Sequence, residues 1–332
     1  MGANKSGKSP NAMLPIFTNL CTKLRMLSQT AQTNPFRNLW GVAILVFAIL
    51  VFSIVSAGCA PLIGKLFYGL SEKECQSLLR HPEHTAIGIN FLRWTNLLQF
   101  LTYMAIPAVL ITLISHYKFN EIGNYKQAIQ SRKIIGTVCF AMGMIPLMAL
   151  ITSISKYIPL GDFAAKFKQL DTQRQTMFET LLTMKTYQEL AVCLFILACL
   201  PAFLEEYIFR GLLFNLAGNS FSKQRTAIFF QATVFAALHF SPFEFIGIFA
   251  MGVLFGIIST KTGTLWYASI AHFVFNASTI IGQFYILRYQ ESTGKNFSVD
   301  AFLSRPELYL SAIPLAFGGI YLLLRTKNHG IC

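Results

Sequence analysis

Charge is what this sequence has least of. Only 12% of its 332 residues are charged, acids are rarer than bases at 14 against 27, and hydrophobic residues make up 54%. Soluble globular domains carry about 25% charged residues, so this composition excludes an ordinary soluble domain. The apolar excess, which includes 31 Phe and gives a mean hydropathy of +0.52, predicts an integral membrane protein.

Paired cysteines and internal repeats are also missing. The seven cysteines are odd in number, lie mostly within or beside apolar runs, and form no C-x-x-C pair. This pattern argues against a disulfide framework and against a thiolate metal cluster. We find no repeat, no low-complexity tract and no second folded domain.

The basic excess gives a net charge of +13. The lysines and arginines lie between and beside the hydrophobic runs, so they indicate anionic lipid headgroups as the counterpart. A nucleic-acid partner is not expected.

Long apolar segments predict an all-α membrane helix bundle with about eight transmembrane helices, because about 20 apolar residues cross about 30 Å of hydrocarbon. The connections 64–95 and 154–187 are polar enough to lie in water, and the second has the apolar spacing of a surface helix. The spans are expected at 40–63, 96–116, 134–153, 188–216, 226–240, 243–260, 264–287 and 308–325.

The distribution of lysine and arginine predicts the orientation of the bundle. The first 39 residues hold five bases and no acid, and the loop 117–133 holds four bases and one Glu. The loops on the opposite side mix acids with bases. Both termini are therefore predicted to be cytoplasmic.

The segment LPAFLEEYIFRGLLFN, residues 200–215, places three charged side chains in an apolar helix. An ion inside a membrane is costly unless it is paired or functional. Glu206 and Arg210 are four residues apart in the order that favours an ion pair. Glu205 projects about 100° away from Glu206, so one carboxylate is left for chemistry.

Two later spans carry imidazoles with a partner four residues away. FAALH places Phe235 and His239 on one helix face, and HFVFN does the same for His272 and Asn276. At about 1.5 Å per residue, the depths of Glu205, His239 and His272 from the cytoplasmic end are roughly 16, 20 and 12 Å. Those depths are compatible with one shared site.

A spare carboxylate, two imidazoles and a carboxamide suit peptide hydrolysis by an activated water. Glu205 would take the proton from water and His239 would orient that water. His272 and Asn276 would donate to the oxyanion. A glutamate base requires no cofactor, yet Glu205, His239 and His272 also match a zinc set with an open position, and spacing alone leaves both open.

Intramembrane acids and histidines also mark ion or proton pathways, so a coupled transporter is an alternative, as is a non-proteolytic scaffold. Many transporters show inverted repeats, and we find none here. None of the first three expected spans contains a charged residue. The pattern favours one localised site.

The three motifs together resemble the CPBP family of intramembrane proteases, which contains the CAAX prenyl endopeptidases and bacterial immunity-type relatives. EEYIFR fits E-E-x-x-x-R, FAALH fits F-x-x-x-H and HFVFN fits H-x-x-x-N, in the family's order across residues 205–276. The resemblance implies an all-helical membrane hydrolase whose site opens from within the bilayer and whose substrate is a membrane-associated protein or peptide. A prenylated substrate does not follow from it.

The resemblance also implies roles for individual residues. Glu205 is the general base, with His239 as its partner in holding the water. His272 and Asn276 form the oxyanion or metal end. The supporting residues are Glu206, Arg210 and Phe235.

The expected organisation has four segments. They are a basic cytoplasmic tail at 1–39, N-terminal transmembrane helices and loops at 40–187, core helices of the CPBP type at 188–288, and a last loop, helix and tail at 289–332.

Overall fold

The computed structural model describes residues 35–325 apart from 81–84, 116, 156, 158–160, 219 and 304. The described residues form helices joined by turns, and no β-strand occurs among them. The all-α class is thereby confirmed. The expected basic tail lies outside the described residues as far as residue 34, and so does the C-terminal tail from residue 326.

The first half of the described chain builds the outer part of the bundle. Its helices are α1 Pro35–Ser56, α2 Cys59–Tyr68, α3 Glu72–Arg80, α4 Ala86–Ile114, α5 Phe119–Gly123, α6 Ser131–Ser155 and α7 Ala164–Leu181. Helix α7 is the surface helix expected between the third and fourth spans, and most of its side chains are exposed.

The second half carries the three motifs. Its helices are α8 Tyr187–Gly218, α9 Gln224–Ala237, α10 Phe245–Thr262, α11 Trp266–Thr293, α12 Val299–Leu303 and α13 Pro306–Leu324.

Seven helical segments of the described chain are long and apolar enough to cross a membrane, so the chain is an integral multi-pass membrane protein. Each of the eight expected spans forms a helix, but the fifth does not reach that length. Helix α9 has 14 residues, which at 1.5 Å per residue cover about 21 Å. The seven are Trp40–Tyr68, Ala86–Ile114, Ser131–Ser155, Tyr187–Gly218, Phe245–Thr262, Trp266–Thr293 and Pro306–Leu324.

The connection expected at 64–95 is largely helical, and this corrects the predicted boundary of the second span. Helix α4 begins at Ala86 because Thr85 caps it, its hydroxyl accepting a hydrogen bond from the Gly88 N–H at 3.1 Å. The earlier start brings Arg93 inside the helix, where it is only 4% exposed.

Helix α8 is not a uniform α-helix. It contains π-helical turns at Phe195–Cys199 and Glu206–Leu213. Pro201 has no N–H to donate to the carbonyl of Leu197, four residues earlier, and the Leu200 N–H bonds to Phe195 instead. The Leu197 carbonyl therefore lacks the donor that an α-helix would place four residues later.

Helices α9 and α10 pack closely through two glycines of the segment GVLFG. A Cβ on Gly252 would lie 2.9 Å from the Cβ of Ala232, and one on Gly256 would lie 2.9 Å from Nε2 of Gln231. At such distances a larger residue would force a neighbouring atom to move. This small-residue face lets the two helices approach closely, and it places α10 against Gln231 on α9.

Candidate active site

The expected ion pair between Glu206 and Arg210 is present. Nη1 of Arg210 lies 2.9 Å from Oε1 of Glu206, and neither side chain is exposed. Burial of an ion pair requires further partners for its remaining hydrogens. Nη2 of Arg210 lies 3.5 Å from the carbonyl oxygen of Gly252. The pair therefore lies inside the bundle, between α8 and α10.

Phe235 supports the same arginine. The guanidinium carbon of Arg210 lies 4.3 Å from the centre of the Phe235 ring and 5.5 Å from that of Phe255. A cation over a ring face at such distances is attracted by the ring's quadrupole. Phe235, which the motif FAALH places four residues before His239, thus contacts the guanidinium of Arg210.

His272 lies between the two glutamates. Its Nδ1 is 3.0 Å from Oε1 of Glu206, and its Nε2 is 3.9 Å from Oε2 of Glu205. A carboxylate only accepts hydrogen bonds, so Nδ1 carries the hydrogen and donates to Glu206. In the neutral ring, Nε2 then presents a lone pair toward Glu205.

The two adjacent glutamates differ in the number of hydrogen bonds that their carboxylates accept. Oε1 of Glu206 accepts from both Arg210 and His272, and the residue is fully buried. Glu205 is 8% exposed, and no hydrogen bond to its carboxylate is formed within the described part of the chain. Oε2 of Glu206 has no hydrogen-bond partner among the described residues, so the two carboxylates differ in the two bonds that Oε1 of Glu206 accepts.

A cavity of about 240 Å³ adjoins this arrangement. Four of the expected site residues line it: Phe235, His239, His272 and Asn276. Apolar side chains such as Met148 and Met251 form much of its remaining wall. Glu205 does not line the cavity. It lies next to His272, which does, with 3.9 Å between Oε2 of Glu205 and Nε2 of His272.

His239 lies just beyond the end of α9, which corrects its expected place on that helix, but it still lies beside Phe235, with the two ring centroids 4.6 Å apart. The helix ends at Ala237, and His239 belongs to the following turn and is half-buried. Its Nδ1 lies 2.7 Å from the carbonyl oxygen of Phe235. Because a carbonyl can only accept, Nδ1 donates, and Nε2 of the neutral ring is left with a lone pair.

Asn276 connects α11 to the irregular turn of α8. Its Nδ2 lies 3.4 Å from the carbonyl oxygen of Leu197, to which Pro201, four residues later, has no N–H to donate. One amide hydrogen is used in this bond. The second hydrogen remains for a group in the cavity that Asn276 lines.

The zinc set considered from the sequence is not assembled. Within the described ranges, no three His, Cys, Asp or Glu side chains converge closely enough to hold a metal ion. Glu205 and His272 are 3.9 Å apart, but His239 does not complete a three-ligand group with them. We therefore derive no step through a metal.

An ionic contact that the sequence analysis missed lies beside the cavity. Glu244 lines the cavity, and its Oε2 lies 2.8 Å from Nη1 of Arg174 on α7. Arg174 also contacts Asp171 at 2.8 Å and the hydroxyl of Ser241 at 3.1 Å. Burial lowers the pKa of Arg174, but Glu244 and Asp171 more than offset this and leave the pKa raised. Sequence spacing could not reveal a contact between such distant residues.

The motif-bearing segment is similar to a known protein family. Residues 187–278 match the family described as type II CAAX prenyl endopeptidase Rce1-like. The matched segment runs from the start of α8 into α11 and contains every expected site residue. Neither curated proteins nor solved structures give a match. The match covers less than half of the chain, and it makes the segment that carries the three motifs similar to a family of membrane proteases, the type II CAAX prenyl endopeptidases.

Proposed function

We propose that the chain is an intramembrane endopeptidase in which Glu205 activates a water molecule for attack on a peptide carbonyl. One observation carries the proposal: His272 lines a cavity together with His239 and Asn276, and its Nε2 lies 3.9 Å from Oε2 of Glu205. Such groups provide a base, an orienting ring and a donor at one place. A transporter or scaffold does not need this convergence.

The reaction uses Glu205 twice. Its carboxylate takes a proton from water while the oxygen of that water bonds to the substrate carbonyl carbon. When the tetrahedral intermediate collapses, the C–N bond breaks and Glu205 returns the proton to the leaving nitrogen. The apolar wall of the cavity keeps other water away, which strengthens each electrostatic contact.

The two imidazoles face the water and the oxyanion. His239 accepts a hydrogen bond from the attacking water at Nε2, because its Nδ1 hydrogen is held by the Phe235 carbonyl. The second amide hydrogen of Asn276 donates to the oxyanion. His272 adds a donation from Nε2 when its ring is protonated, since its Nδ1 hydrogen is already given to Glu206.

The substrate we propose is a membrane-associated protein or peptide, because the cavity lies within helices that cross the bilayer. Both termini are proposed to be cytoplasmic, from the lysine and arginine distribution. The basic residues beside the spans are proposed to contact anionic lipid headgroups. No cofactor enters the mechanism.

The proposal is tested by comparing membranes that contain the wild type with membranes that contain Glu205→Gln. Mass spectrometry of the membrane proteins should find at least one fragment with a new terminus that only the wild type produces. Glu291→Gln is the matched control, because Glu291 is exposed near the end of α11 and distant in sequence from the motifs. The same fragments in all three membranes would contradict the proposal.

A further inference from the structure

Gln231 on α9 is a buried polar residue that none of the motifs includes. Its side chain is completely buried, and its Nε2 donates to the carbonyl oxygen of Gly252 at 2.9 Å. An amide in an apolar interior is costly unless it is hydrogen-bonded. Gly256 on α10 lies against this amide. A Cβ at position 256 would lie only 2.9 Å from Nε2 of Gln231, so the glycine allows α9 and α10 to pack closely.

The Gly252 carbonyl has a second donor, and that donor belongs to the site. Nη2 of Arg210 approaches the same oxygen at 3.5 Å. Arg210 in turn holds Glu206 at 2.9 Å, and Glu206 holds Nδ1 of His272 at 3.0 Å. Gln231 is thus the outer end of a buried series of contacts that runs through four helices.

We propose that Gln231 is a positioning residue for the hydrolytic site, acting through Gly252, Arg210 and Glu206 on the imidazole of His272. This inference rests on the proposed function. By occupying the Gly252 carbonyl, the amide limits how strongly that oxygen attracts the guanidinium. Arg210 then remains bonded to Glu206, and Nε2 of His272 keeps its orientation toward Glu205.

The position of Arg210 is sensitive to this competition because few other groups hold it. Its Nε has no hydrogen-bond partner among the described residues, and the rings of Phe235 and Phe255 attract the charge without fixing its direction. The Gly252 carbonyl also faces the intrahelical N–H of Gly256, so without the Gln231 amide Arg210 is its remaining side-chain donor. The guanidinium should then move toward Gly252 and away from Glu206.

The test substitutes Gln231→Leu, which removes the amide and keeps a side chain of similar size. Purified full-length protein is assayed with an internally quenched, farnesylated peptide that ends in a CAAX sequence, the substrate class in the name of the matched family. We expect kcat to fall by up to about 10²-fold, the effect of displacing a reacting group by about 1 Å. KM should not change, because Gln231 does not line the cavity.

Two controls separate positioning from folding. Ile228→Val lies one turn earlier on the same helix and also faces Gly256, so it should lower Tm and leave kcat unchanged. Gln231→Leu is then combined with Glu206→Gln. If Gln231 acts through Glu206, its effect on kcat should be much smaller in that background, since contacts in one network are not additive.

Two outcomes would overturn the inference while leaving the proposed function intact. One is a Gln231→Leu protein with lowered Tm but wild-type kcat. The other is an equal fold-loss of kcat in both backgrounds. A wild type that cleaves neither this peptide nor any protein in the membrane comparison removes the proposed function and the inference together.

Discussion

Two buried arginines in different regions of the molecule are held in contrasting ways. Arg93 on α4 donates to the carbonyl oxygens of Leu181 and Thr183 and lies 3.4 Å from Glu189. Arg210 on α8 pairs with Glu206, whose side chain is not exposed at all. The partner carboxylate of Arg93 is 32% exposed and is also occupied with capping the start of α8.

The difference shows that a buried charge does not by itself mark an active site in this protein. Arg93 joins the end of α7 to the start of α8, which is a structural task that backbone carbonyls can share. Arg210 instead holds a carboxylate whose other contact is an imidazole beside a cavity. The contact with His272 is the reason why we propose the second region as the active site.

The largest expected effect compares the two arginines directly. Arg210→Met leaves Glu206 buried without its counter-ion, which should lower the free energy of unfolding by about 3–5 kcal/mol and reduce activity. Arg93→Met leaves neutral carbonyls and a half-exposed carboxylate, so about 1–3 kcal/mol is expected. Denaturation and turnover of both variants are measured in the same detergent.

Equal loss of stability in the two arginine variants would break the comparison, and so would equal loss of turnover per folded protein. We expect the Arg93→Met protein to keep wild-type kcat.

The next effect sharpens the role of Asn276. Asn276→Ala should lower kcat by about 10² to 10³ if its amide donates to the oxyanion. If the bond to the Leu197 carbonyl is its whole role, the change should cost about 0.6 kcal/mol of stability and leave turnover intact. Measuring kcat and Tm on one preparation distinguishes the two, and near-normal kcat with a lowered Tm would refute the catalytic role.

The smallest effect concerns metal. Glu205, His239 and His272 do not form a three-ligand group in the described part of the chain, so we expect chelator treatment to leave kcat unchanged. Activity that is lost to a chelator and restored by added Zn²⁺ would show that these side chains rearrange around a metal. Zinc content of the purified, active protein is measured alongside.

Local spacing predicted the parts of the site that depend on one helix. The pairing of Glu206 with Arg210 follows from their separation of four residues, which survives even the π-helical turn. The hydropathy of the chain likewise predicted the helical class and the approximate spans. These properties are determined over a few helical turns, so the sequence pattern contains them.

Contacts between distant segments could not be predicted in the same way. Gln231 and Arg210 both approach the carbonyl oxygen of Gly252. Their positions in the sequence do not predict this contact, because it depends on how α9 packs on α10. The role of Pro201 was equally hidden, since its consequence is a bond from Asn276 on another helix. His239 was assigned to a helix that ends two residues before it, as helix ends depend on turn geometry.

The most direct test compares Glu205→Gln with Glu206→Gln, because the two glutamates are expected to have different roles. Glu205→Gln should retain the wild-type Tm and lose about 10² to 10⁴ in kcat, the contribution of a general base. Glu206→Gln should act chiefly on stability, because it weakens the buried pair with Arg210, and its kcat should fall much less. Both values are measured on purified, folded protein with the quenched peptide. Equal loss of kcat in two equally stable proteins would contradict the assignment of Glu205 as the base.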